Sequence, residues 1–168
     1  MNFTFSDYSD FGQKVLENVL RNLHSLQKLN LLGDLKGAFQ GVPAFIVGAG
    51  PSLDENAHLI DREKAIVFAG GSAVAALSKK GIKPHFISTV DKDAPKSIFA
   101  QADFSSTAFL FQLRTNPENV QLAHEPKILA PSNGGYPLED WITEKLGIYE
   151  KPLDFGWNVA TFLAQVAH

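Results

Sequence analysis

The run Phe45-Ile46-Val47-Gly48-Ala49-Gly50-Pro51-Ser52-Leu53-Asp54-Glu55 sets two glycines after an apolar stretch and ahead of a helix-starting pattern. Gly48 permits a tight turn, and Gly50 lets another group come close to the backbone. A helix that opens after such a turn presents N–H groups and a partial positive charge, an arrangement that holds phosphate. Pro51 and Ser52 complete the loop, and Ser52 carries two readings. Its hydroxyl contacts a ligand, or it caps the helix in a capping box with Glu55, with Asp54 in the favourable first turn. The run departs from the dinucleotide fingerprint at two points. Leu53 stands where a third glycine belongs, and no acid follows about 20 residues on to grip a ribose. No Gly-Lys-Ser/Thr is present either, which excludes a Walker A loop.

Further polar residues fall at the ends of apolar runs. Ala69-Gly70-Gly71-Ser72 closes the second run; the glycines offer backbone that a ligand can approach, or simply make a tight turn. The third run ends Ser88-Thr89-Val90-Asp91-Lys92-Asp93. Ligands of open α/β sheets bind beyond the carboxyl ends of the strands, where Asp91 lands as a ligand or metal contact. Asp93 precedes Ala94-Pro95 and reads as the cap of a following helix. Arg114 ends the fourth run, either meeting a phosphate or carboxylate or lying in solvent. Ser132 and Asn133, after the fifth run, could bond a base or sugar or form a plain turn. The histidines, His24, His58, His85, His124 and His168, show no metal-ligand spacing. No Gly-x-Ser-x-Gly exists, so a hydrolase nucleophile elbow is out. No catalytic residue is assigned.

The elements that must position these residues are short apolar runs: Ala44 to Val47, Ala65 to Ala69, Phe86 to Val90, Ala108 to Leu113 and Ile128 to Ala130. Helical patterns separate them at Leu53 to Arg62, Ala73 to Lys80 and Ala94 to Ala102, and another follows at Leu138 to Leu146. Strands alternating with helices predict an α/β fold, a Rossmann-like, mostly parallel sheet flanked by helices. Pro43, Pro84 and Pro126 each precede a strand, where a missing N–H does no harm. Ahead of this, Val15, Leu16, Val19, Leu20, Leu23, Leu26 and Leu29 mark an N-terminal amphipathic helix from about Phe11 to Leu35. Asp10 is its expected cap and Gly33 its stop. The expected division is a helical segment, 1–40, and a nucleotide-binding domain, 41–168. GWNVATFLAQVAH is a further helix that in an α/β alternation leads into another strand, so the chain reads as truncated.

Composition bounds the classes. With 45% apolar and 20% charged residues the 168-residue chain is globular. No cysteine means no disulfide, thiolate metal site or cysteine nucleophile. A net charge of −3 argues against coating nucleic acid. No apolar run nears the roughly 20 residues that span a bilayer, and MNFTFSDYSDF lacks signal-peptide regions. The expectation is a cytoplasmic protein without nucleic-acid or membrane partners.

The three turns together, Val42 through Asp54, Ala69 through Ser72 and Leu77 through Asp91, resemble the motility-associated factors. These are bacterial flagellin glycosyltransferases whose domain also includes 6-hydroxymethylpterin diphosphokinases. The Gly-x-Gly-Pro-Ser-Leu run is similar to that of a bacterial sialyltransferase family, where it opens the CMP-sugar site. The resemblance covers roughly residues 42 to 168. It implies that Gly48, Gly50, Pro51 and Ser52 line nucleotide phosphate and ribose, that Gly70, Gly71 and Ser72 form the neighbouring wall, and that Asp91 is the acid of the third strand. It implies a CMP-sugar donor, a nonulosonic acid as the transferred group and a protein acceptor such as flagellin. The alternatives are an ATP- and Mg²⁺-dependent diphosphokinase, with Asp91 at the metal, and a non-catalytic nucleotide-binding module. The chain departs from the family pattern at His85, where Asp is usual, and at Gly156-Trp157, where small residues are usual.

Overall fold

The computed structural model describes residues 3–28, 30–99, 102–103, 105–124, 126–133, 137–148, 153–154 and 158–168. Gly156 and Trp157 lie outside the described residues. Six parallel strands form one sheet: β1 (Asn30–Leu31), β2 (Ala44–Val47), β3 (Ile66–Gly70), β4 (Phe86–Ser88), β5 (Ala108–Phe111) and β6 (Lys127–Leu129). Their order is β1-β6-β5-β4-β3-β2. The helices are α1 (Phe3–Asn22), α2 (Ser52–Asn56), α3 (Ala73–Lys79), α4 (Pro117–Leu122), α5 (Pro137–Lys145) and α6 (Val159–Ala167). A separate parallel pair joins β7 (Ser132–Asn133) to β8 (Leu153–Asp154).

β5 is buried at all four residues, as expected of a strand covered on both faces. Alternate side chains separate the two faces. Val47, Val67, Ala69, Ile87, Phe109, Phe111 and Leu129 face a core that takes in Val15 and Val19 of α1, Leu77 of α3, Val120 of α4 and Ile142 of α5. Phe68, Phe86, Leu110 and Ile128 face the other way, onto Phe162 and Leu163 of α6. Phe109 and Leu77, both fully buried, each contribute about 1.5–3 kcal/mol. β2 to β6 step across the sheet in one direction. Right-handed crossovers therefore put the connecting helices on a single face. The prolines before strands keep their carbonyls in use: Ile66 N–H donates to Pro43 O and Phe109 N–H to Pro126 O.

Several boundaries differ from the expected ones. The first helix begins at Phe3, so Asp10 lies inside it, and it ends at Asn22. A 3-10 segment, Leu23–Lys28, follows, and Asn30–Leu31 then joins the sheet beside β6, so these residues are not helical. Gly33 sits in a further 3-10 turn. Leu16 and Leu20 are exposed; among the described side chains of α1, Val15, Asn18, Val19 and Asn22 are buried. The pattern expected to run to Arg62 is a five-residue α2 and a 3-10 turn, Ala57–Leu59. Asn56 Nδ2 donates to Ser52 O at 2.9 Å, competing for a carbonyl that helix continuation needs. Among the described residues from Ala94 to Ala102, Lys96–Phe99 is helical, as 3-10. α4 was not expected, although Asn116 caps it by accepting Glu118 N–H and Pro117 occupies its first turn.

Candidate functional site

Parallel neighbours deliver their carboxyl ends to one edge of the sheet. Val47 pairs with Ala69 and Gly70 with Ser88, so the turns Gly48–Ser52 and Gly70–Ser72 and the segment bearing Asp91 leave three adjacent strands at that edge. Gly71 N–H donates to Ser88 O at 2.9 Å and ties the second turn onto β4. Ser132 and Asn133 follow β6, with β5 standing between them and β4. They form β7 rather than a plain loop.

The first turn differs in detail from its sequence reading. Neither Gly48 nor Gly50 has a left-handed φ, and a Cβ built on either meets nothing within 4 Å. The fold itself does not need glycine there. Pro51, already helical at φ −55° and ψ −32°, occupies the cap position, which leaves Ser52 as the first helical residue, and no side-chain cap bond forms. Helical geometry starts one residue too early for a Ser52–Glu55 capping box. Leu53 N–H donates to Gly50 O at 3.0 Å and Asp54 N–H to Pro51 O at 2.9 Å. These two donors are spent and Pro51 has none, whereas the N–H groups of Gly50 and Ser52, like those of Gly48 and Ala49, make no backbone hydrogen bond among the described residues. Gly50, Pro51 and Ser52 are exposed.

Gly70 answers to another demand. A Cβ there would collide with Val159 of α6, whose Cγ1 is nearest and whose Cγ2 lies at 2.7 Å. Its missing side chain makes room for α6. Gly71 has φ +52°, a turn conformation that favours glycine. Ser72 stands at the cap position of α3 without a side-chain cap bond.

Asp91 is exposed, and its Oδ1 accepts Asp93 N–H at 2.9 Å. Asp93 is thus part of an Asx turn instead of a helix cap, because the next helical residue is Lys96. Arg114 is buried, not solvent-exposed. Its N–H donates to Glu139 Oε1 at 3.0 Å, which couples the loop after β5 to α5. Burial pushes the Glu139 carboxyl up to about 7, against the pull of the Arg114 charge and its N–H bond, while Asp140 pushes it further up. His85 lies within the sheet framework, its Nδ1 accepting Val67 N–H at 3.0 Å. Burial and the Arg62 charge lower its pKa. Among the described residues no group of three or more His, Cys, Asp or Glu could hold a metal, and no helix is long and apolar enough to cross a membrane.

Residues 17–168 match the family described as 6-hydroxymethylpterin diphosphokinase MptE-like. The chain belongs to that family. No curated protein matches it. A solved MAf glycosyltransferase from Magnetospirillum magneticum AMB-1 is similar at 22% identity and a TM-score of 0.46, over 61% of this chain. The chain spans 16% of the length of that glycosyltransferase.

Polar residues of this MptE-like chain that its sequence did not single out lie beneath the same edge. Asn18, Asn22, Gln112, Thr115, Asn119 and Glu139 are all buried. Thr115 Oγ1 accepts Gln112 N–H and donates to Thr89 O at 3.2 Å, joining the ends of β4 and β5. The two asparagines of α1 carried a usable signal. They stand four apart, each three residues after a buried valine of the same helical face.

Proposed function

We propose that this chain is the nucleotide-binding part of a transferase that moves a nonulosonic (sialic-type) acid from a CMP-sugar to a hydroxyl of a protein such as flagellin. The observation that carries the reading is the open space in front of Gly48 and Gly50, two glycines with no internal reason to be glycine. Backbone without side chains at the carboxyl edge of a parallel sheet suits a ligand that must approach closely. In the transfer, the acceptor hydroxyl oxygen bonds the anomeric carbon and releases its proton to solvent. The bond from that carbon to the CMP phosphate oxygen breaks, and its electron pair leaves with CMP. Negative charge then grows on the phosphate. The N–H groups of Gly50 and Ser52 are fixed before reaction and would stabilise that charge without reorganising. Asp91, with Oδ1 held by Asp93 N–H, offers its other oxygen to ribose hydroxyls. Gly70, filled by Val159, and Gly71 shape the wall beside it; Ser72, Ser132 and Asn133 stand at the same edge.

A second reading is an ATP-dependent diphosphokinase, favoured by the family description and by the Asp91–Asp93 pair. Magnesium takes one or two carboxylates and completes its shell with phosphate and water. Asp91 and Asp93, both exposed, are the residues that would hold it. Bound magnesium would neutralise charge on the transferring phosphates.

Titration of CMP and of ATP, with and without Mg²⁺, separates the readings. Saturable CMP binding that is indifferent to Mg²⁺ supports the sugar-nucleotide reading, whereas Mg²⁺-dependent ATP binding supports the diphosphokinase. Gly50→Val abolishes binding of either and leaves the fold intact, since its Cβ has room. Undiminished binding by that variant rejects this edge as the nucleotide site.

A further inference from the structure

Asn18 and Asn22 stand on the buried face of α1 with no exposed surface. Asn18 Nδ2 donates to Lys92 O at 2.9 Å and to Arg114 O at 3.0 Å. Asn22 Nδ2 donates to Leu113 O at 2.8 Å and to Thr115 O at 2.7 Å. Two side chains one turn apart thus satisfy four carbonyls in the loops after β4 and β5. The first of these loops is held again at Ala94, whose carbonyl accepts from Asn116 Nδ2 at 2.9 Å and Asn119 Nδ2 at 2.8 Å. Lys92, the residue that Asn18 grips, lies between Asp91 and Asp93.

Docking a helix on a sheet does not require asparagine. Val15 and Val19 supply apolar contact, and leucine would suit both the helix and the core better. Each asparagine also keeps a buried Oδ1 without a partner among the described residues, which costs stability. What the pair provides is a fixed path for irregular backbone that cannot join a ladder. We propose that Asn18 and Asn22 are positioning residues of the ligand edge, setting the backbone that places Asp91 for nucleotide recognition. This rests on the nucleotide reading above.

A double-mutant cycle in the full 168-residue chain tests it, using whichever of CMP or ATP with Mg²⁺ binds the wild type. Asn18→Leu weakens binding about tenfold, and Asp91→Ala, which costs about tenfold alone, costs less than about twofold in the Asn18→Leu background. A full Asp91→Ala effect in both backgrounds overturns the proposal, because a structural defect elsewhere would leave Asp91 working. Should Asn18→Leu not fold, Asn18→Ser, which keeps one hydroxyl donor, is read in the same way. Hydrogen exchange without ligand gives a separate readout. In Asn22→Leu and in Asn18→Leu the amides of residues 91–93 and 112–115 exchange at least about tenfold faster, and those of β3 and β5 keep their protection. Unchanged exchange in the two loops overturns the positioning role. A wild-type chain that binds neither CMP nor ATP instead overturns the nucleotide reading, and the exchange result then decides the loops alone.

Discussion

Glu139→Gln should make this protein more stable in mild alkali and leave it unchanged in acid. Glu139 lies in the first turn of α5 at 3% exposure, with Oε1 on Arg114 N–H and Oε2 without a partner among the described residues. Burial lifts its carboxyl from 4.5 to about 7, opposed by the Arg114 charge and N–H. The folded chain therefore keeps a proton that the unfolded chain releases. Its contribution is fully present below 4.5 and is lost as the pH rises through about 7. Each pH unit of that interval corresponds to about 1.4 kcal/mol, so the loss approaches about 3 kcal/mol. Glutamine keeps the acceptor for Arg114 N–H and the shape, and has no charge to desolvate. Urea denaturation of both proteins from about pH 4 to pH 8.5 reads the difference, in which every other titrating group cancels. The variant gains about 3 kcal/mol on wild type at the alkaline end, a gap in melting temperature on the order of 10 °C. A gap independent of pH would refute the assignment of the titration to this carboxyl.

Two further outcomes follow from packing and from the sheet framework. Gly70→Ala drives its methyl into Val159 and costs about 1–3 kcal/mol, while adding Val159→Ala recovers most of that loss; chemical denaturation of the two variants checks both, and a harmless Gly70→Ala would show that α6 is not seated on β3. His85 holds Val67 N–H through an unprotonated Nδ1, and its pKa is lowered by burial and then by Arg62. The stability this supplies is present above 6.5 and fades as the pH falls below it. Compared with His85→Asn, wild type should lose ground between pH 7 and pH 5 in the same denaturation assay, and parallel curves would contradict the bond.

The alternation of apolar runs with helical stretches was legible because strands buried on both faces must be continuously apolar. β3 to β6 follow from that demand, whereas β2, predicted at Ala44 to Val47, is an edge strand exposed at Ala44 and Ile46 and was legible from its apolar run ahead of the glycine turn. Prolines precede β2, β4 and β6. The placement of the glycine turns and Asp91 at one edge follows in turn, since right-handed parallel crossovers admit no other. β1 was not legible. Two residues, Asn30 and Leu31, carry no strand pattern, and they become a strand only because β6 offers them its open side. Leu16 and Leu20 looked like core because their spacing is helical, but periodicity cannot tell which stripe of a helix the sheet will cover.

The site divides along the same line. The chain's own residues determined that backbone without side chains would stand after β2, because that needs only a local turn and two glycines. What Gly70 makes room for was decided by tertiary structure, since Val159 lies far along the chain and reaches β3 only when α6 covers the second face. The roles of Asn18 and Asn22 were decided there too. An asparagine is polar wherever it stands in a sequence; that its amide hydrogens are spent on four carbonyls depends on two loops arriving beside α1. Local conformation is encoded by neighbouring residues through sterics and periodicity, whereas a buried polar group acquires its function from partners that only the folded sheet brings within hydrogen-bond distance.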